Sequence, residues 1–158
     1  MVCPYTDKKE VRDTIMNEET EKLLKEVNSG CKMATNSMEQ VLPMTKNEQL
    51  KAIIERYNDM HIKLGDECHV LLNKSENDEK DPSLMAKAMS WVTTEMKLMM
   101  NDDTHKVAEL MIDGCNMGIK SLSEYINKYK SATPESIDMA ERLVHLEKDF
   151  MNELLAYL

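Results

Sequence analysis

Apolar residues recur at alternating steps of three and four along this chain, and this spacing constrains the fold more than any other feature. In the first such stretch the series is Leu24, Val27, Cys31, Ala34, Met38 and Val41. In the second it is Leu50, Ile54, Tyr57, His61, Leu64, Cys68 and Leu71. These steps place every member of a series on one stripe of an α-helix, as at the seam of a helical bundle. The pattern therefore predicts long helices that pack side by side.

Turn residues and capping motifs divide the chain into five predicted helices. They span residues 17–41, 45–74, 82–100, 103–130 and 134–158. Thr45 followed by Glu48 is a capping box, which predicts Thr45 as the N-cap of the second helix. Pro82 and Pro134 occupy first-turn positions, where proline is well tolerated. The inward stripe of the fourth helix is predicted to be Val107, Met111, Gly114, Gly118, Leu122, Tyr125 and Tyr129.

Four of the predicted helices are long and one is short, which favours a particular all-α architecture. The segment 82–100 has a different length from its neighbours, so we interpret it as a helix that traverses the bundle and connects two antiparallel helix pairs. The predicted fold class is an all-α, ferritin-like four-helix bundle with an additional traversing helix. Residues 17–158 form a single helical-bundle domain. Residues 1–16 form an N-terminal extension, for which helical and non-helical conformations both stay open.

The charge and composition of the chain exclude several classes of function. The net charge of −9 disfavours nucleic acids and anionic membranes, because both bind basic surfaces. No long apolar run predicts a membrane-spanning helix, and the first residues lack the apolar core of a secretory signal. We therefore expect a cytoplasmic protein. A homo-oligomer and an unidentified protein partner both stay open.

The four cysteines are widely spaced and contain no Cys-x-x-Cys motif. We expect free, buried thiols in a reducing compartment. Counting residues from the first helix-to-helix turn predicts that Cys31 and Cys68 lie roughly 18 Å apart along the helix axis. The cysteines are therefore predicted to be small core residues and not a metal cluster.

Three polar residues fall at predicted core positions. Glu147 lies near the middle of the apolar arc of the last helix, His61 lies on the seam of the second helix beside Tyr57, and Glu95 lies inside the apolar arc of the third. A buried carboxylate needs a partner or a cation. If they converge, His61, Glu95 and Glu147 are able to hold one divalent ion such as iron, manganese or zinc. A structural pair, His61–Glu147 or Tyr57–Glu147, satisfies the same groups without metal, and we favour this interpretation.

Several local motifs resemble those of a known group of proteins. They are Asp81-Pro82-Ser83 followed by Trp91, the break Asn101-Asp102-Asp103, the run from Met111 to Gly118, and Tyr125. Between Glu21 and Leu158 the chain resembles a bacterial family of uncharacterised proteins in the ferritin-like superfamily. The resemblance implies a four-helix bundle with an added helix and implies no activity. Where that family often has glutamates on both sides of Gly114, this chain has Asp113 and Cys115-Asn116.

A ferritin-like di-iron centre takes a Glu from each of two helices and a Glu-x-x-His from each of the other two. The chain contains no Glu-x-x-His; Asp66-x-x-His69 and Asp102-x-x-His105 come closest. We therefore expect a non-catalytic protein with a binding or structural role and no cofactor. The first alternative is a metal-binding oxidoreductase or metal-handling protein that uses His61, Glu95 and Glu147.

The methionine content supports a second alternative. Five of the fifteen methionines fall in the third predicted helix: Met85, Met89, Met96, Met99 and Met100. Flexible thioether side chains adapt to the groove or face of a partner helix, which would suit a helix-binding adaptor. Copper(I) also binds thioethers. Irregular filling of the core explains the same methionines, and we prefer that interpretation.

Overall fold

The computed structural model describes residues 16–73 and 103–158, and all regular secondary structure in these two ranges is helical. The α-helices are α1 (Glu18–Val41), α2 (Glu48–Asn73), α3 (Thr104–Lys128) and α4 (Pro134–Leu154). Short 3-10 turns, Leu42–Met44 and Leu155–Tyr157, follow α1 and α4. The all-α bundle is confirmed. The predicted helix 82–100, with Glu95, Trp91 and its methionines, lies outside the described residues, as do residues 1–15.

Side-chain caps set the starts of the helices, because the first backbone N–H groups of a helix have no partner within it. Asn17 caps α1 by accepting from the Thr20 N–H at 2.8 Å. Asp103 caps α3 by accepting from the Lys106 N–H at 3.0 Å. Thr133 caps α4, directly before Pro134, whose predicted place in the first turn is confirmed. These local signals therefore locate three of the four helix starts.

The predicted N-cap of α2 was wrong. Asn47 caps this helix by accepting from the Leu50 N–H at 3.0 Å. The Thr45 hydroxyl instead donates to the Val41 carbonyl oxygen at 2.7 Å. The physical reason is the 3-10 turn Leu42–Met44, which carries the end of α1 past Pro43 and leaves Thr45 in its last turn.

Contacts at the helix ends establish the directions of the four helices. The start of α1 lies against the α3–α4 connection, where Asn17 Nδ2 donates to the Ser131 carbonyl at 3.0 Å and the Thr133 N–H donates to Thr20 Oγ1 at 2.8 Å. Thus α1 and α4 begin at the same end and run parallel, whereas their hairpin partners α2 and α3 run the other way. Consequently α2 ends and α3 begins at opposite ends of the bundle. Both α1 and α4 pack against all three other helices.

The axial register of α1 and α2 differs from the one predicted. A β-carbon built on Gly65 would lie 3.2 Å from Cys31 Cβ, so these two residues face each other at a close helix approach. The backbone of Asn28 also hydrogen-bonds the Cys68 thiol. Cys31 and Cys68 therefore lie near each other, and the predicted separation of roughly 18 Å was wrong. The prediction counted residues from the turn between the two helices and placed that turn too early in the chain. The first helix continues through the 3-10 turn Leu42–Met44 before the chain reverses.

The core consists of two apolar clusters, one toward each end of the bundle. The cluster near the start of α1 contains Leu23, Leu24, Val27, Cys31, Leu64, Cys68, Leu72, Leu122, Tyr129, Ala132, Met139, Ala140, Leu143 and Val144. The cluster near the start of α2 contains Met38, Val41, Leu50, Ile54, Tyr57, Val107, Leu110, Met111, Cys115, Phe150 and Leu154. On α2 and α4, the residues between the two clusters include His61 and Glu147. Buried polar groups therefore separate two apolar layers.

Candidate functional site

The interior contains a paired histidine and glutamate. His61 on α2 is fully buried, and Glu147 on α4 is 6% exposed. His61 Nε2 lies 3.1 Å from Glu147 Oε1. Both residues occupy the inward stripes of their helices, so the predicted burial of these two polar groups is confirmed.

The hydrogen bonds of His61 locate one of its ring protons. Its Nδ1 atom is 2.7 Å from the Tyr57 carbonyl oxygen. Since a carbonyl oxygen only accepts, Nδ1 carries a proton. The Nε2···Oε1 contact then contains one more proton, placed either on the imidazole or on the carboxyl group. In both arrangements the pair is neutral as a unit, which lowers the cost of burying it.

The Glu147 carboxyl group has a second neighbour, Cys115 on α3. Burial, the charge of Glu147 and a hydrogen bond to its carboxyl group raise the pKa of the Cys115 thiol well above its usual range. Burial, Cys68 and Glu147 raise the pKa of Cys31 in the same way. Burial raises the pKa of Cys68 to about 12, and its thiol donates to the Leu24 carbonyl at 3.1 Å. These thiols therefore stay protonated at neutral pH and are poor nucleophiles.

Aromatic rings pack beside one side of the His61–Glu147 pair. The Phe150 ring stacks on Tyr57 with centroids 4.6 Å apart, and its centroid lies 6.5 Å from that of His61 in an edge contact. The Tyr57 hydroxyl bonds Glu153, and burial together with this carboxylate raises the pKa of Tyr57 to about 12. The sequence left two structural pairs open, His61–Glu147 and Tyr57–Glu147. The structure contains the first, and Tyr57 bonds Glu153 instead.

The α3 side of the pair is built from small residues. A β-carbon on Gly118 would lie 3.5 Å from the Glu147 carboxyl group, so this glycine faces the site. A β-carbon on Gly114 would meet nothing within 4 Å. The predicted inward position of Gly114 was wrong, because α3 turns the neighbouring Cys115 inward. Cys115 could have been found from the stripe that Val107 and Met111 begin, since it follows Met111 by four residues.

The structure brings together two of the three predicted metal ligands. His61 and Glu147 are in contact, while Glu95 lies outside the described residues. Among residues 16–73 and 103–158, no group of three or more His, Cys, Asp or Glu side chains is arranged to hold a metal ion. Asp66 and His69 are exposed on α2 and do not join the buried pair. His105 is exposed at the start of α3, and Asp102 is outside the described residues.

A groove of about 300 Å³ runs along the α1–α2 seam beside the pair. Its lining residues are Asn28, Cys31, Lys32, Thr35, His61, Ile62, Gly65, Asp66 and His69. His61 contributes to the floor of this groove although it is fully buried. The sequence analysis did not anticipate the groove, because it depends on the axial register of the two helices.

Comparisons of the chain with protein-family models, with curated proteins and with solved structures find no match. In the described part of the chain, no helix combines the length and the apolar character needed to cross a membrane.

Proposed function

We propose that this protein is a non-catalytic, ferritin-like helical-bundle protein of the cytoplasm with a binding or structural role. The observation that carries the proposal is the mutual satisfaction of His61 and Glu147. Both ring nitrogens of His61 have protein partners, and Glu147 bonds both His61 and Cys115. Groups that satisfy one another in this way stabilise a fold without a substrate or an ion.

The helix directions support the ferritin-like part of the proposal. In a ferritin-like bundle, a long connection joins two antiparallel hairpins whose inner helices run parallel. Here α2 and α3 run in the same direction, and α1 and α4 run in the other. A di-metal centre in such a bundle takes acidic side chains from all four helices. At the level of the pair, however, α3 presents Cys115 and Gly118, which do not fit that ligand set.

A metal-handling role is the second candidate, and one observation favours it. The Nδ1–H group of His61 donates to the Tyr57 carbonyl, which directs Nε2 toward Glu147. A hydrogen bond from the other ring nitrogen to a backbone carbonyl is typical of histidines that bind metals through Nε2. His61 and Glu147 would supply two ligands to iron, manganese or zinc, and Glu95 is the predicted third.

Elemental analysis of the full chain, purified without chelators and then incubated with each metal, separates the two candidates. The proposed function predicts far less than one iron, manganese or zinc ion per chain. A metal-handling role predicts about one ion per chain, which is lost in Glu147→Gln and kept in Glu153→Gln, a matched control on the same helix. A stoichiometric ion with that dependence on Glu147 would overturn the proposed function.

A further inference from the structure

The outer face of α1 is more deeply buried than the three neighbouring helices explain. Cys31 faces α2, Gly30 faces α4, and the Glu26 carboxylate interacts with a tyrosine on α3. Lys25 and Ser29 lie on the remaining side of α1, one helical turn apart. Ser29 is nevertheless only 6% exposed. We call this remaining side the outer face of α1.

The low exposure extends over the middle of α1. Between Glu21 and Thr35, Lys22 alone is exposed. The side chains of the Lys25–Glu21 ion pair are 25% and 24% exposed. In the other four lysine or arginine ion pairs that join described residues, side-chain exposure ranges from 37% to 79%. A surface ion pair on α1 is therefore shielded by more than its own helix.

The matched helix α4 has no such cover. Like α1, it packs against all three other helices. Yet seven of its residues between 138 and 152, a stretch of equal length, are exposed. Contacts among the described helices therefore do not account for the burial of α1.

The connection between α2 and α3, residues 74–102, has to pass over either α1 or α4. Because α2 and α3 each pack mainly against α1 and α4, they lie diagonally across the bundle. The end of α2 lies beside the start of α1, where the Cys68 thiol donates to the Leu24 carbonyl. The start of α3 lies beside the end of α1, where Val107 and Val41 share a cluster. The connection therefore crosses the bundle diagonally, from one end to the other.

We propose that the outer face of α1 is the docking surface for the connection 74–102, which crosses it diagonally from the α2 side to the α3 side. A diagonal path covers the middle of a helix and leaves both of its ends open. Lys22 and Asn36 lie seven residues before and after Ser29, on the same stripe of α1, and both are exposed. The burial of Ser29 between two exposed positions agrees with this path.

The chemistry of the two surfaces is compatible. Ser29 is small, which lets another segment approach α1 closely, and the methylene stem of Lys25 offers apolar area beside its charge. In the predicted helix 82–100, Met89, Val92 and Met96 recur at helical spacing and two of them have adaptable thioether side chains. On this path the methionine-rich stretch serves the chain's own bundle and not a partner helix.

Paramagnetic NMR of the ¹⁵N-labelled full chain tests the docking. A nitroxide is attached to Asn36→Cys on α1 or, as the matched control, to His145→Cys on α4, both of which are exposed positions. Cys3→Ser is present in every variant, and the three buried thiols are poor nucleophiles that should take no label. We expect the label on α1 to broaden the amide signals of residues 82–100, most strongly toward residue 100, and the label on α4 to leave them sharp.

A label at Lys22→Cys, at the other end of the same stripe, gives the direction of the path. It should broaden the signals toward residue 82 most strongly. Spectra of the reduced, diamagnetic samples check that each variant is folded like the parent.

Four results would overturn the proposal. Broadening of residues 82–100 by the label on α4 would place the crossing over α4, and no broadening by either label would exclude docking on both helices. Broadening confined to residues 1–15 would identify the N-terminal extension as the cover of α1. A mixture of ¹⁵N-labelled chains without nitroxide and unlabelled chains that carry it at Asn36→Cys should show no broadening; broadening there would mean that the surface binds a second copy.

Discussion

The contact between His61 Nε2 and Glu147 Oε1, at 3.1 Å, joins two helices through residues 86 positions apart in the chain. It lies where the apolar core divides into its two clusters. Sliding α2 along α4 by one turn would leave the His61 ring and the Glu147 carboxyl group buried without each other as partners. The unmade hydrogen bond would cost free energy, whereas apolar contacts alone tolerate such a shift more easily. We infer that this pair selects the relative register of α2 and α4.

His61→Leu and Glu147→Leu should each destabilise the protein by about 1–3 kcal/mol, because each leaves one buried polar group unpaired. The double variant should lose less stability than the sum of the two, since it removes both groups. Glu147→Gln should be milder than Glu147→Leu, because its amide is able to donate to Nε2. Urea unfolding followed by circular dichroism measures these differences. Additive losses, equal within about 0.5 kcal/mol, would show that the pair is not coupled.

Two glycine-to-alanine substitutions should have opposite effects. Gly65→Ala places a methyl group 3.2 Å from Cys31 Cβ, so it should destabilise the bundle by about 1–3 kcal/mol. Gly114→Ala meets nothing within 4 Å and should stabilise α3 by about 0.5–1 kcal/mol, because alanine loses less backbone entropy in a helix. Thermal unfolding of both variants checks the sign of each effect. A stabilised Gly65→Ala would contradict the close approach of α1 and α2.

The buried thiols should make the protein less stable at alkaline pH. The pKa of Cys68 is raised to about 12 in the folded state, against about 8.5 for a thiol in the unfolded chain. Above about pH 8.5 only the unfolded state releases this proton, so the thiol's contribution to stability falls progressively toward pH 12. In this window the free energy of unfolding of the parent should fall with pH more steeply than that of Cys68→Ala. The difference in slope should reach about 1.4 kcal/mol per pH unit. Urea unfolding at several pH values measures the two slopes, and equal slopes would contradict the raised pKa.

Thr20 connects the start of α1 to the α3–α4 connection. Its Oγ1 accepts from the Thr133 N–H at 2.8 Å, and Thr20 is 3% exposed. Thr20→Val should therefore destabilise the protein by about 1–3 kcal/mol, because it leaves that N–H without its acceptor. Thr35→Val is the matched control, since the Thr35 hydroxyl donates only to the Lys32 carbonyl within α1. Hydrogen exchange at Thr133 should accelerate in Thr20→Val alone; equal acceleration in both variants would contradict this role.

Local signals in the sequence predicted much of the secondary structure. The seam of α1 and the first-turn position of Pro134 depend only on neighbouring residues, so both were predicted from the sequence. Thr45 shows the limit of such signals. Its capping box is complete in sequence, but the 3-10 turn after α1 directs its hydroxyl backward to Val41.

The candidate site could be predicted only in part. The seam positions of His61 and Glu147 predicted that both are buried, because burial follows from the helical period. Their pairing could not be derived, since Tyr57 was an equally suitable partner on the same helix. The contact of Cys115 with Glu147 and the groove beside Asn28 also depend on how helices from distant parts of the chain are aligned.

The sequence by itself determined an all-α bundle with a histidine and a glutamate inside, because helical period, capping and burial are properties of short segments. Only the tertiary structure decided which polar groups meet, since an axial shift or a rotation of one helix changes every contact between helices while leaving its own period intact. The alignment of α2 with α4 created the buried pair, and that of α1 with α2 created the groove.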